Sequence, residues 1–88
     1  GILLMEFQVT SSKKEVFKPE WLWLTQNGET KPIHNLFMSA LEVAPQKGIL
    51  GVLQIREIDL NRNEHIRVEL RRNRISYLTI QKASLWKR

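Results

Sequence analysis

Three side chains able to act in acid–base chemistry recur at alternate positions of the segment HIRVEL, namely His65, Arg67 and Glu69. Successive side chains of a β-strand point to opposite faces, so these three would share one face. A histidine acid, a glutamate base and an arginine on the phosphate suffice for metal-independent RNA cleavage. Alternating polar residues are also ordinary on a solvated strand. We therefore predict no catalytic residues and no enzyme activity, with a small ribonuclease as the least favoured function.

The same segment runs into the sequence RRNR at residues 71–74. Residues 65–71 and 75–81 both alternate between apolar and polar, which predicts an antiparallel β-hairpin with RRNR at an exposed tip. A two-stranded ribbon is narrow enough to enter a DNA major groove. We predict phosphate contacts from Arg67, Arg71, Arg72, Arg74, Lys82, Lys87 and Arg88, and base stacking by Tyr77 or Trp86.

The distribution of charge supports an acidic partner. Residues 62–88 carry eight basic and two acidic side chains, a net charge of +6, whereas residues 1–61 carry six basic and seven acidic side chains, a net charge of −1. Arginine binds phosphate and carboxylate groups better than lysine does, because its guanidinium presents a fork of donors. We therefore predict a small basic module that binds DNA or RNA, located in the cytoplasm or in the nucleoid or nucleus.

Other readings fit the same residues. Charged side chains protect exposed strands from aggregation, so the arginines can serve solubility alone or bind an acidic protein. A protein-interaction adaptor or homodimeric regulatory domain is the main alternative, with Trp21, Trp23 and a sheet edge forming the interface. Steep loss of affinity with salt would favour nucleic acid, and weak salt dependence would favour the adaptor.

Several classes of protein are disfavoured by composition. The chain has no cysteine, which excludes disulfides and thiolate zinc sites. Neither histidine, His34 or His65, stands at ligand spacing with Asp59, so we expect no metal and no cofactor. The apolar runs are too short to span a bilayer, so we expect no membrane partner. The residues before Met5 are either native or an added extension.

The N-terminal half contains one clear strand and two helical patterns. Residues 3–9 alternate with Leu3, Met5, Phe7 and Val9 on one face, which predicts a half-buried strand. The segment from Pro19 to Gly28 favours a helix, with the alternative of a strand ending in an Asn27-Gly28 hairpin turn. Residues 33–44 place apolar side chains at helical spacing, which predicts an amphipathic helix.

The C-terminal half predicts a three-stranded antiparallel meander. Its strands would be residues 49–61 with a bulge near Arg56 and Glu57, then residues 65–71, then residues 75–81, with a short tail after them. Together these elements predict an α+β fold of one domain over residues 1–88. It would be mainly an antiparallel sheet, with one or two helices packed on one face.

Overall fold

The structure is a computed structural model that describes residues 1–72 and 77–87, with side chains for residues 1–72 and 77–80. Its strands are β1 Ile2–Ser11, β2 Glu15–Val16, β3 Leu22–Gln26, β4 Glu29–Lys31, β5 Asn35–Met38, β6 Glu42–Val43, β7 Ile49–Arg56, β8 Ile66–Leu70 and β9 Leu78–Lys87. Two 3-10 helices, Pro19–Trp21 and Glu57–Asp59, interrupt them.

The predicted α+β fold is wrong, because the described residues form a nearly all-β structure. Antiparallel pairing assembles a four-stranded sheet in the order β5-β7-β1-β9, a three-stranded sheet in the order β4-β3-β8, and a two-stranded ribbon of β2 and β6. Among the described residues the helices are three residues long. No helix therefore packs on a sheet face there.

The strand predicted at residues 3–9 is confirmed within β1, which pairs with β7 along one edge and β9 along the other. Its inward side chains are buried, and the buried apolar residues of both large sheets form one cluster. That cluster comprises Leu3, Met5, Phe7, Val9, Phe17, Trp21, Leu22, Leu24, Val43, Ile49, Leu53, Ile55 and Leu78.

Close packing at the centre of the four-stranded sheet requires a glycine. Gly51 of β7 lies opposite Phe7 of β1 and Met38 of β5. An added Cβ at Gly51 would lie 2.3 Å from the Phe7 ring and 2.8 Å from the Met38 sulfur. The phenyl ring therefore occupies the space that any other residue at position 51 would fill, a common use of glycine within a strand.

The helix predicted at residues 33–44 is wrong, because this segment forms β5 and β6. Residues 35–38 pair with residues 51–54 of β7, and the backbone N–H groups of His34 and Ser39 continue that pairing by donating to Gln54 and Leu50. The segment is dense in apolar residues, so it matches both the helical and the strand periods. A buried neighbouring strand with a free edge decides between the two, since tertiary pairing overrides weak local propensity.

The helix favoured after Pro19 is also wrong, and the alternative is confirmed. Only one 3-10 turn, Pro19–Trp21, follows the helix-start signal before β3 begins. Asn27 and Gly28 then join β3 to β4 with φ values of 49° and 81°. Positive φ at both positions is what a tight two-residue hairpin turn needs.

The predicted C-terminal meander does not form within the described residues. β7 and β9 pair with β1, whereas β8 pairs with β3 of the other sheet. The expected bulge after Arg56 is instead the 3-10 helix Glu57–Asp59, which leaves Ile58 84% exposed. A turn at residues 62 and 63 precedes β8, with Asn63 at a φ of 62°. The predicted tail belongs to β9 as far as Lys87.

Burial predicts that two phenylalanines, Phe7 and Phe37, contribute very differently to the free energy of unfolding. Phe7 is 1% exposed and Phe37 is 52% exposed. Replacing Phe7 with alanine leaves a cavity under β7, so we expect the free energy of unfolding to fall by about 3–5 kcal/mol. The matched variant Phe37→Ala should lose less than about 1 kcal/mol. Urea denaturation followed by circular dichroism measures both, and equal losses would contradict this core.

Candidate nucleic-acid interface

The outer surface of the three-stranded sheet brings an exposed tryptophan next to two arginines, Arg67 in β8 and Arg71 directly after it. In the β3–β8 ladder Trp23 lies opposite Glu69, and Thr25 lies opposite Arg67. Opposed residues point to the same face, and so does Arg71 two positions after Glu69. Thr25 is covered by its neighbours and is 2% exposed. We call the other four residues, Trp23, Arg67, Glu69 and Arg71, the Trp23 face.

The centre of this face is a stacked cation and aromatic ring. The Arg71 guanidinium carbon lies 4.5 Å from the centroid of the Trp23 ring. One guanidinium nitrogen of Arg71 also donates to the Glu69 carboxylate at 3.2 Å. Trp23 is 39% exposed, whereas Trp21, two residues earlier, is 8% exposed. An indole that faces solvent beside a guanidinium is suited to stacking on a planar ligand.

A groove of about 890 Å³ adjoins the face, and we call it the Trp23 groove. Its position follows from the 3-10 helix Pro19–Trp21, which places the polar residues on either side of Pro19 beside the end of β8. The Lys18 ammonium lies 5.8 Å from the Trp21 ring centroid. The groove is lined by three basic residues, one acid and three apolar or aromatic residues, namely Lys18, Glu20, Trp21, Trp23, Leu70, Arg71 and Arg72.

Arg72 differs from the exposed tip residue that the sequence predicted. It is half-buried, and its Nη1 donates a 2.9 Å hydrogen bond to the backbone carbonyl of Leu78. Leu78 is the first residue of β9, so this bond links the end of β8 to the four-stranded sheet. A guanidinium has five N–H donors, and the others remain able to bind an anion.

The opposite end of β8 borders a second groove, of about 630 Å³. Exposed His65 and Arg67 line it together with Asn27, Glu64 and Ile66. Alternation places Arg67 and Glu69 on one side of β8, as predicted, whereas His65 directly precedes the strand. Glu69 is engaged by Arg71, however, so its carboxylate is already paired. The absence of nuclease activity stays a prediction, which an RNA-cleavage assay with the His65→Ala variant tests.

The remaining predicted site residues lie before β9, on β9 or outside the described residues. Tyr77 is exposed, its backbone N–H donates to Glu15, and the Lys13 ammonium lies 4.9 Å from its ring. Lys82, Trp86 and Lys87 lie on β9 in the four-stranded sheet, where only their backbone is described. Arg74 and Arg88 fall outside the described residues. Among the predicted site residues whose side chains are described, the structure thus brings together Arg67, Arg71 and Arg72.

Sequence reasoning missed two members of this surface, Lys18 and Trp23. The sequence places Trp21 and Trp23 together in the protein interface of the alternative function, whereas the structure buries Trp21 and exposes Trp23. The segment LWLTQ contains the missing signal, because its alternation places Trp23 opposite to buried Leu22 and Leu24. The competing helix prediction concealed that alternation.

Shifted pKa values occur at two local ion pairs, one within β4 and one between the end of β7 and the 3-10 helix Glu57–Asp59. Hydrogen bonds from the Arg56 guanidinium keep the pKa of Asp59 below its usual range. Hydrogen bonding from Lys31 likewise lowers the pKa of Glu29. Neither carboxylate belongs to the Trp23 face. In the described part of the chain, no group of histidine and acidic side chains is arranged to hold a metal ion.

Comparisons with family models, with curated proteins and with solved structures find no match. Function is therefore argued from the site itself. Across residues 1–72 and 77–87 no helix has the length and apolar character needed to cross a membrane.

The link made by Arg72 yields a test of stability. Sequence reasoning expects Arg72 to be an exposed tip residue whose removal barely affects folding. Because its side chain joins the two sheets, we now expect Arg72→Ala to lower the free energy of unfolding by about 1–2 kcal/mol. Exposed Arg62 is the matched control, and its alanine variant should stay within about 0.5 kcal/mol of the parent. Equal urea midpoints for the two variants would show that the bond does not stabilise the fold.

Proposed function

We propose that this protein is a nucleic-acid-binding module that uses the Trp23 face and the Trp23 groove. The observation that carries the proposal is the exposed indole of Trp23, covered on one side by the Arg71 guanidinium and bordered by Lys18 and Arg72. Cations supply attraction to phosphates, and the aromatic layer supplies a surface for a base. Such a function belongs in the cytoplasm or in the nucleoid or nucleus.

The local balance of charge favours a polyanion. The face and groove carry four basic side chains, Lys18, Arg67, Arg71 and Arg72, against the two acids Glu20 and Glu69. One of those acids, Glu69, is paired with Arg71 at 3.2 Å. Lys18 and Arg67 are exposed, one on each side of the Trp23–Arg71 pair. Both are accessible to phosphates, although the Lys18 ammonium also lies 5.8 Å from the Trp21 ring centroid.

The mode of binding differs from the one predicted from the sequence. A protruding arginine hairpin would require β8 and β9 to pair with each other, but they pair with strands of different sheets. The phosphate contacts proposed here therefore come from a sheet face and from the groove beside it. An acidic protein remains the competing partner, because an exposed tryptophan beside an arginine also suits a protein interface.

The salt dependence of the affinity for nucleic acid tests the proposal, with two double variants that each remove one lysine and one arginine. Each phosphate contact contributes a slope of about −0.7 to −0.9 in log affinity against log salt. The double variant Lys18→Ala/Arg67→Ala should therefore flatten the slope by about 1–2 units and weaken binding at low salt. Fluorescence anisotropy of labelled oligonucleotides over a salt series measures both quantities.

The control variant Lys47→Ala/Arg62→Ala removes the same two charges from exposed positions outside the face and the groove. Its slope and affinity should match those of the parent. Equal flattening in both double variants would mean that net charge alone attracts the nucleic acid. Absence of binding to any DNA or RNA at low salt would overturn the proposal.

A second candidate function is self-association through the outer face of the four-stranded sheet. Phe37 of β5 lies opposite Val52 of β7, and Leu50 points to the same face two residues away. Phe37 and Leu50 are each about half exposed. Adjacent exposed apolar side chains on a flat sheet can be buried by a second copy of the chain. This observation supports the homodimer alternative.

Analytical ultracentrifugation tests this candidate. If the face forms a dimer, the parent should dissociate with a measurable constant, and the double variant Phe37→Ser/Leu50→Thr should be a monomer at the same concentrations because its apolar contact area is lost. The double variant Val16→Thr/Ile58→Ser is the control, because it removes exposed apolar side chains from other surfaces. A monomeric parent at high concentration would exclude this function.

A further inference from the structure

We infer that the nucleic acid recognised by the Trp23 face is single-stranded, and that an unpaired base stacks on the layer formed by Trp23 and Arg71. This inference rests on the proposed function and assigns its substrate class. It also gives Arg71 and Trp23 a role separate from that of Lys18 and Arg67, since the first pair would contact a base and the second pair would contact phosphates.

The exposed indole is the first reason. In a duplex the faces of each base are covered by the neighbouring base pairs, so an aromatic side chain on a rigid sheet cannot reach them. An unpaired base has free faces and can lie against an indole or a guanidinium plane. Trp23 points outward because the residues on either side of it in β3, Leu22 and Leu24, point inward and are buried.

The ion pair between Arg71 and Glu69 is the second reason. Its guanidinium already donates to the Glu69 carboxylate at 3.2 Å while it lies over the indole. A phosphate at this position would meet the negative charge of Glu69 at close range. A base carries no net charge and meets no such repulsion, so the Arg71 plane is better suited to stacking than to binding phosphate.

The shape of the surface is the third reason. β8 belongs to a three-stranded sheet whose outer strand axes are about 10 Å apart before side chains are counted. With its side chains this sheet is broader than the two-stranded ribbon that a major groove about 12 Å wide admits. A duplex would therefore present mainly its phosphates to this surface, whereas a single strand can lie flat on it.

The arrangement of cations completes the path. Arg67 and Arg71 are four residues apart on one side of β8, a separation of about 13 Å along the strand. Lys18 and Arg72 lie beyond Arg71 in the Trp23 groove, and Arg67 lies at the second groove. A single strand of nucleic acid that runs along β8 would thus meet positive charge before and after its stacked base.

The test compares labelled oligothymidylate with the same strand annealed to oligoadenylate, both by fluorescence anisotropy over one series of salt concentrations that begins at low salt. The parent should bind the single strand at least about tenfold more tightly than the duplex. Trp23→Thr, which retains a residue suited to a strand, should lower single-strand affinity by roughly 5- to 100-fold. It should leave duplex affinity and the salt slope unchanged, because no phosphate contact is lost.

Three further variants separate stacking from a loss of folding. Trp23→Phe retains an aromatic ring and should retain most of the single-strand affinity. Arg71→Lys retains the charge but removes the guanidinium plane, so it should weaken single-strand binding without flattening the salt slope. Phe37→Ala removes an exposed aromatic ring from the other sheet and should change neither affinity. Oligothymidylate should quench tryptophan fluorescence in the parent, and less so in Trp23→Phe.

The outcomes distinguish this inference from the proposed function. Failure of the parent to bind either form would overturn both. Equal binding of the two forms, with no effect of Trp23→Thr on the single strand, would retain nucleic-acid binding and overturn the single-strand assignment. Preference for the duplex would overturn it as well.

Discussion

The two-sided pairing of β1 is the constraint on which the rest of the fold depends. β1 lies between β7 and β9, and every second side chain from Leu3 to Val9 enters the core. A strand paired on both edges leaves no backbone group exposed to competing partners. The contact of Phe7 with Gly51 adds a close packing point at the middle of this sheet. Both the N-terminal and the C-terminal ends of the chain are used in building it.

This use of the C-terminal strand determines where the arginines lie. Since β9 pairs with β1, β8 is free to pair with β3 in the other sheet. The arginines of β8 are therefore placed beside the tryptophan of β3 and not opposite the lysines of β9. Arg72 connects the two sheets by its hydrogen bond to Leu78. A residue that looks like a surface charge thus contributes to the fold as well as to the groove.

The Trp23 face combines features that are costly for folding alone. An indole that remains 39% exposed contributes less burial than an aliphatic residue in the core would. Arg71 is held over that ring and also paired with Glu69, so it is already oriented. An oriented cation and aromatic ring require less ordering when a planar ligand binds. These properties are the ones expected of a recognition surface, and they are less useful to a residue that serves solubility alone.

The sequence by itself determined the features that depend on near neighbours. The alternation from Leu3 to Val9 predicted β1, the alternation around Val68 predicted the outward position of Arg67, and Asn27 with Gly28 indicated a hairpin turn. The concentration of arginine after residue 61 also drew attention to β8, which borders the candidate site. These features follow from side-chain period, turn geometry and composition, which need no knowledge of distant partners.

Only the tertiary structure decided which strands pair and which residues share the site. Residues 35–38 match the helical period nearly as well as the strand period, and the free edge of β7 selects the strand. Adjacent strands in sequence usually pair with each other, yet β8 and β9 join different sheets. Trp23 and Arg71 are 48 positions apart in the sequence and meet only through the β3–β8 ladder. The physical reason is that pairing between distant strands depends on the burial of the whole core, which no local pattern encodes.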